Sequence, residues 1–139
     1  MSDIFEQISL KPGFMKHNGG ILFKTINDHE YQFKTKIKET HLNAAGITHG
    51  GFIAAFIDAG AGTAAHRASK GSPCVTISLE LKFISAVSLG QELIGNTKIQ
   101  KKTKSMVFLT CELNVSNKIV ATASGVWKIL RLPGAGPGG

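Results

Sequence analysis

Cysteine is scarce in this chain. Cys74 and Cys111 are the only two, and both lie in apolar, strand-like runs. They read as small core residues of a reducing compartment; two such thiols make neither a disulfide framework nor a zinc-binding spacing. The histidines, His17, His29, His41, His49 and His66, form no HExxH or comparable ligand pattern, so no metal and no redox cofactor is expected. Acids are also few, nine Asp and Glu against sixteen Lys and Arg, for a net charge of +7. That surplus favours anionic partners (nucleic acid, acidic lipid or phosphorylated metabolites) without choosing among them. Four aromatics, Tyr31, Phe33, Phe83 and Phe108, lie close to the strand lysines. Alternation puts three of these on core faces, so a base-stacking platform for nucleic acid is not expected. Long apolar runs are missing too. The first fourteen residues carry acids early and hold no secretory h-region. The longest apolar stretch, Gly50 to Ala65, is rich in glycine and alanine and too short and small to span a membrane. A cytoplasmic protein with no membrane partner is the expectation.

With 139 residues, 42% of them hydrophobic and 18% charged, the chain has the composition of an ordinary folded domain. One domain over residues 1–131 is expected, followed by a flexible Gly/Pro tail, LPGAGPGG, over 132–139. Asp3 to Ser9 reads as a short helix capped by Ser2 or Asp3. Ile21 to Ile26 and Tyr31 to Lys38 form a hairpin around Asn27-Asp28-His29, the second strand alternating apolar and polar residues with a period of two. Glu39 to Thr48 is a loop, and Gly50 to about Ser69 the one long helix. Apolar residues lie almost all round that helix, so most of its surface should be buried. Its glycines and alanines permit close approach to a sheet or another helix, at a cost in propensity that packing must offset. Val75 to Phe83, Glu92 to Lys102, Ser105 to Val115 and Ile119 to Leu130 follow as strands, with a tight turn at Asn117-Lys118. Short connections imply antiparallel pairing. The fold class is therefore α+β, an antiparallel sheet wrapped around one long central helix.

Asp58 is the only ionisable residue among the sixteen positions from Gly50 to Ala65. A carboxylate in such surroundings is expected to be partly desolvated, with a raised pKa, which suits a general base or nucleophile. Just upstream stands His49-Gly50-Gly51, the start of the helix.

The segment His41-Leu42-Asn43-Ala44-Ala45-Gly46-Ile47-Thr48-His49-Gly50-Gly51, with Asp58 eight residues beyond Gly50, resembles the signature of hotdog-fold acyl-CoA thioesterases. The closest likeness is to the phenylacetate-degradation (PaaI-like) type, and it runs from about Gly13 to Leu130. The resemblance implies a hotdog fold and hydrolysis of an acyl-CoA to a free acid and CoA without a cofactor. It also implies a homodimer, pairing further into a tetramer. Residue by residue it carries the catalytic carboxylate onto Asp58, the oxyanion donor onto Gly50, and supporting roles onto Asn43, His49 and Thr76. Ala44 departs from the pattern, since many relatives have proline there; this loosens the loop without removing a chemical group. Gly51, Lys101, Lys102 and Lys104 are the substrate-binding candidates, the lysines for the phosphates of coenzyme A.

The physics of these positions agrees. Gly50 falls in the first helical turn, where N–H groups lack partners and the helix dipole is positive, so a carbonyl placed there is polarised. Glycine lets the substrate approach the backbone. Eight residues of helix put Asp58 about 12 Å further along the axis. One thioester carbonyl cannot meet Gly50 N–H and the same chain's Asp58 together, so two subunits with antiparallel helices must share each site. Whether Asp58 attacks the thioester carbon or activates water is left open at this stage. Two other readings stand beside hydrolysis: a non-catalytic acyl-CoA-binding sensor and a hotdog dehydratase. The latter calls for a catalytic histidine and acid in a different arrangement. The acyl group, with aryl and medium-chain candidates, is not encoded in any motif.

Overall fold

The computed structural model describes residues 4–131. Strand β1 (Glu6–Gln7) and a short helix α1 (Phe14–His17) precede the hairpin of β2 (Leu22–Asn27) and β3 (Glu30–Lys36). A 3-10 turn (Glu39–His41) leads to the long helix α2 (Gly50–Ala68). Strands β4 (Cys74–Phe83), β5 (Glu92–Lys102), β6 (Met106–Val115) and β7 (Lys118–Ile129) complete the chain. The strands form one antiparallel sheet in the order β1-β2-β3-β5-β6-β7-β4. Helix α2 packs against β3 through β7, so the sheet wraps around it as expected.

Three local expectations are corrected. The helix expected over Asp3 to Ser9 is absent from the described part of that segment, residues 4–9: Glu6 and Gln7 pair with Phe23 and Leu22, and Ile8 N–H donates to Ile21 C=O at 3.1 Å. The free edge of β2 offers backbone partners that a lone five- to seven-residue helix lacks. The cap residues Ser2 and Asp3 and the Gly/Pro tail lie outside the described residues. The tight turn before β7 is centred on Ser116-Asn117, both at positive φ (49° and 64°), the primed geometry that suits a two-residue hairpin. In β4, alternation groups Val75, Ile77 and Phe83 on one face with Leu79 and Leu81, yet all three are exposed: a bulge between Thr76 and Ser78 takes Val75 and Ile77 off that face, and Phe83 stands at the sheet edge.

The helix lies close to the sheet because two of its glycines receive aromatic rings. A Cβ on Gly60 would sit 2.3 Å from the ring of Phe33, and one on Gly95 in β5 would sit 2.4 Å from the other end of that ring. Trp127 is held in the same way, between Gly62 on the helix and Gly125 on β7. Phe33 also meets Phe56 at 4.8 Å between centroids, at the centre of a core built from Phe23, Phe52, Ile53, Ile57, Leu93, Leu109 and Leu113. Close packing here fixes both the height and the rotation of α2 over the sheet. The buried face of α2 runs through Phe52, Ile53, Phe56, Ile57, Gly60, Ala61, Ala64 and Ala65. Asp58 and His66 lie on the exposed side. No helix among the described residues is long and apolar enough to cross a membrane.

Candidate active site

The loop from His41 to His49 closes on itself. His49 N–H donates to His41 C=O at 2.8 Å, and Leu42 and Thr48 form an isolated bridge just inside that bond. Asn43 shapes the loop's tip. Its Oδ1 accepts from Ala45 N–H at 2.9 Å and Ile47 N–H at 3.3 Å, and Gly46 completes the turn at φ +81°. The Asn43 oxygen is thus committed to an Asx turn. Its amide NH2 has no acceptor among the described residues and stays available as a donor.

His49 caps α2. Its Nδ1 accepts the Gly51 N–H at 2.7 Å, so the ring carries its proton on Nε2. The Gly51 N–H is therefore committed to the cap. A Cβ at Gly51 would meet His49 Nδ1 at 2.9 Å, so the glycine is what lets the imidazole fold over the first turn. Phe52 and Ile53 N–H both turn back to His49 C=O. Gly50 N–H alone in this turn has no acceptor within hydrogen-bonding distance among the described residues. Beside it opens a cleft of about 320 Å³ walled by Ile47, Ile53, Phe83, Ile84 and Val87, with the Asn43 loop at its mouth. The Phe83 ring stands over Gly50, 3.5 Å from where a Cβ would be. A dipole-aligned N–H with no acceptor among the described residues, beside an apolar cleft, has the chemistry to polarise a carbonyl oxygen.

Asp58 is exposed on the subunit surface, against the expectation of a desolvated carboxylate. Its apolar neighbours in sequence point into the core, while position 58 falls on the helix face turned away from it. It is nevertheless held: Thr76 Oγ1 donates to Asp58 Oδ1 at 2.5 Å. The bulge in β4 makes this contact. Thr76 pairs with Trp127, whose side chain faces the helix, and the extra residue Ile77 lets Leu79, paired with Gly125, return to the same face. Strict alternation would have grouped Thr76 with Glu80 and Lys82 on the outer face.

The lysine candidates lie at the far end of α2 from Gly50. Lys101 and Lys102 line a cleft of about 440 Å³ with Arg67 and Lys70. Lys102 and Lys104 line a neighbouring one of about 600 Å³, with Lys70 and Arg131. Lys102 Nζ donates to the Ala68 carbonyl at 3.1 Å, closing the helix C-terminus. Sequence reasoning missed Phe83 as a wall of the cleft, because alternation assigned it to the core. It also passed over His41, which is 1% exposed. His66 Nδ1 lies 2.8 Å from the Ser72 carbonyl at the other end of the helix.

Comparison with known proteins identifies the family and the fold. Residues 45–120 match the family model described as the thioesterase superfamily. A Pseudomonas aeruginosa protein whose name marks it as a provisional esterase is 34% identical over 95 residues, covering 68% of this chain and 71% of that protein. Human acyl-coenzyme A thioesterase 13 is 27% identical over 88 residues, 62% of this chain. That match spans 63% of the human protein, less than two thirds of its length. The structure of the Escherichia coli PaaI protein from the phenylacetic acid degradation operon superposes with a TM-score of 0.75. The superposition covers 82% of each chain at 18% identity, a likeness of fold. The chain belongs to the thioesterase superfamily and is a thioester hydrolase of the hotdog fold.

Proposed function

We propose that the protein hydrolyses acyl-CoA thioesters to a carboxylic acid and free CoA, in sites shared between two subunits. The observation that carries this reading is the pairing of an unengaged Gly50 N–H at the start of α2 with Asp58, oriented by Thr76, on the same helix. The acyl-CoA substrate class is supported by the name of the human relative.

In the proposed site the thioester oxygen accepts from Gly50 N–H of one subunit, and Asp58 of the other faces the carbonyl carbon. About 12 Å of helix separates the two groups within one chain, which is why two antiparallel helices are needed. In one version Asp58 takes a proton from water, and the hydroxide adds to the carbonyl carbon. The oxyanion rests on Gly50 N–H, and collapse expels the CoA thiolate, which recovers that proton. In the other, the carboxylate adds directly, thiolate leaves, and water hydrolyses the resulting mixed anhydride. Both give acid and thiol from thioester and water. Thr76 holds the carboxylate in place, while the Asn43 amide and His49 Nε2–H are donors for substrate or water. The acyl group enters the apolar cleft under Phe83; aryl and medium-chain groups match its walls. The phosphates of CoA fall to Lys101, Lys102 and Lys104 at the helix end beyond Asp58.

The exposed β4 edge, with Val75 and Ile77 on its surface next to Asp58, supports a dimer formed there. Further pairing to a tetramer and a single catalytic domain over residues 1–131 belong to the same proposal. The test is thiol release from short, medium, long-chain and aryl acyl-CoAs, with Asp58→Ala in parallel. Turnover that falls by roughly 10²–10⁴-fold in the variant is expected for loss of the base. Binding of acyl-CoA without turnover in the wild type would instead favour a ligand sensor.

A further inference from the structure

His41 is a fully buried histidine with every part of its ring engaged. Lys38 N–H donates to Nδ1 at 3.0 Å, and Nε2 lies 2.5 Å from the Asn18 carbonyl. An amide donor on Nδ1 leaves the ring proton on Nε2, which donates to that carbonyl. One face of the ring stacks on Phe52 in the first turn of α2, at 3.8 Å between centroids and 15° between planes. The chain is shaped to make these contacts. Gly19 and Gly20, at φ +99° and +75°, bring the segment after α1 back so that Asn18 presents its carbonyl, and Gly19 lies against the ring edge.

The backbone of the same residue is the neck of the loop that carries the site. His41 C=O holds His49 N–H, so the loop from 42 to 48 hangs from this point. A second anchor, Thr48 to the Val87 carbonyl through both N–H and Oγ1, restrains the loop on the opposite side. His49 follows Thr48 directly at the neck, so a shift of His41 there would swing His49 and, through it, the Gly50 N–H. The ring of His41 opposes it by tying the neck to three separate places: the 3-10 turn, the segment after α1, and α2 itself.

We propose that His41 is a positioning residue for the oxyanion donor, aiming Gly50 N–H through the His41–His49 neck. The inference rests on the shared-site thioesterase reading given above. His41→Phe keeps the stacking on Phe52 and removes both hydrogen bonds. His41→Asn offers an oxygen near the place of Nδ1 for the Lys38 N–H. Expected for His41→Phe is a kcat lower by roughly 10- to 100-fold, part of what losing a whole oxyanion donor costs, with KM nearly unchanged. Expected for His41→Asn is partial recovery of kcat.

A second measurement is independent of turnover. In the amide NMR spectrum of the dimer without substrate, Gly50 and Gly51 should shift and Gly51 should lose exchange protection in His41→Phe, while residues beyond Phe56 stay in place. Unchanged Gly50 and Gly51 amides, or an unchanged kcat per folded enzyme, would overturn the proposal. If wild type hydrolyses no acyl-CoA, the functional reading fails by itself, and the amide spectra still decide whether His41 aims the first turn. If His41→Phe does not fold, His41→Asn carries both measurements.

Discussion

Thr76 on β4 and Asp58 on α2 are joined by a 2.5 Å hydrogen bond across eighteen residues of sequence. The bond exists because a bulge after Thr76 turns its side chain toward the helix, opposite the buried Trp127. Trp127 in turn fits only because Gly62 and Gly125 leave room for its ring. The orientation of the carboxylate thus depends on the packing of the sheet beneath it.

Replacing Thr76 by Val removes the donor and keeps the shape. A charge-assisted hydrogen bond contributes about 1.5 kcal/mol, which is roughly tenfold in rate. Thr76→Val should lower kcat by about that factor, and Thr76→Ser should restore it. Steady-state kinetics on one good acyl-CoA substrate checks both; equal activity of Thr76→Val and wild type would remove Thr76 from the proposed machinery.

Gly50 is the first helical residue, where proline is well tolerated because its missing N–H had no intrahelical partner. His49 already has the extended conformation, φ −63° and ψ 132°, that a following proline prefers. Gly50→Pro should therefore fold normally and, if the proposed shared site holds, lose roughly 10²–10³-fold in kcat with the N–H proposed as oxyanion donor. Mixed with inactive Asp58→Ala subunits after unfolding and refolding together, it should regain about a quarter of wild-type activity, since half the dimers are mixed and each has one intact shared site. No recovery in mixed dimers would place both groups of a site on one chain.

Gly60→Ala forces a Cβ to 2.3 Å from the buried Phe33 ring, where neither helix nor sheet can yield. Overpacking of this kind costs about 1–3 kcal/mol. Thermal unfolding should show a lower Tm for Gly60→Ala, and Phe33→Leu added to it should be less damaging than the sum of the two single changes. Strict additivity would mean the ring and the glycine do not meet.

Burial pushes the Cys111 thiol up to about 12, from an ordinary value near 9. Above pH 9 the unfolded chain loses this proton while the folded protein keeps it, so stability falls with rising pH up to about 12. One such thiol contributes a slope of about 1.4 kcal/mol per pH unit in that window. Tyr31, raised mainly by burial, adds a slope of the same sign at higher pH. Urea unfolding at several pH values should show a shallower decline in Cys111→Ala than in wild type; identical slopes would mean that the thiol titrates alike folded and unfolded.

Much of the strand and helix order was legible from residue periodicity. The lysine-alternating strand at β3 and the small-residue helix α2 carry strong signals. Asp58 stood out because nothing else in its stretch is ionisable. Its exposure was not legible, because a mostly apolar helix gives little indication of which side meets the sheet. Phe83 alternates in phase with Leu79 and Leu81, and alternation carries no record of the sheet edge that leaves it exposed. His41 was invisible as an anchor, since its partners Asn18, Lys38 and Phe52 are drawn from three separate segments.

The sequence by itself determined the fold class, singled out Asp58 as the candidate carboxylate and marked the glycine that begins the helix, because periodicity and local chemistry are properties of neighbouring residues. Only the tertiary structure decided that Thr76 reaches Asp58, that the Gly51 N–H is committed to His49 while the Gly50 N–H is left open, and that His41 holds the neck of the loop. Those outcomes depend on side-chain direction and on spare hydrogen-bonding capacity, and both are fixed only when distant segments pack together.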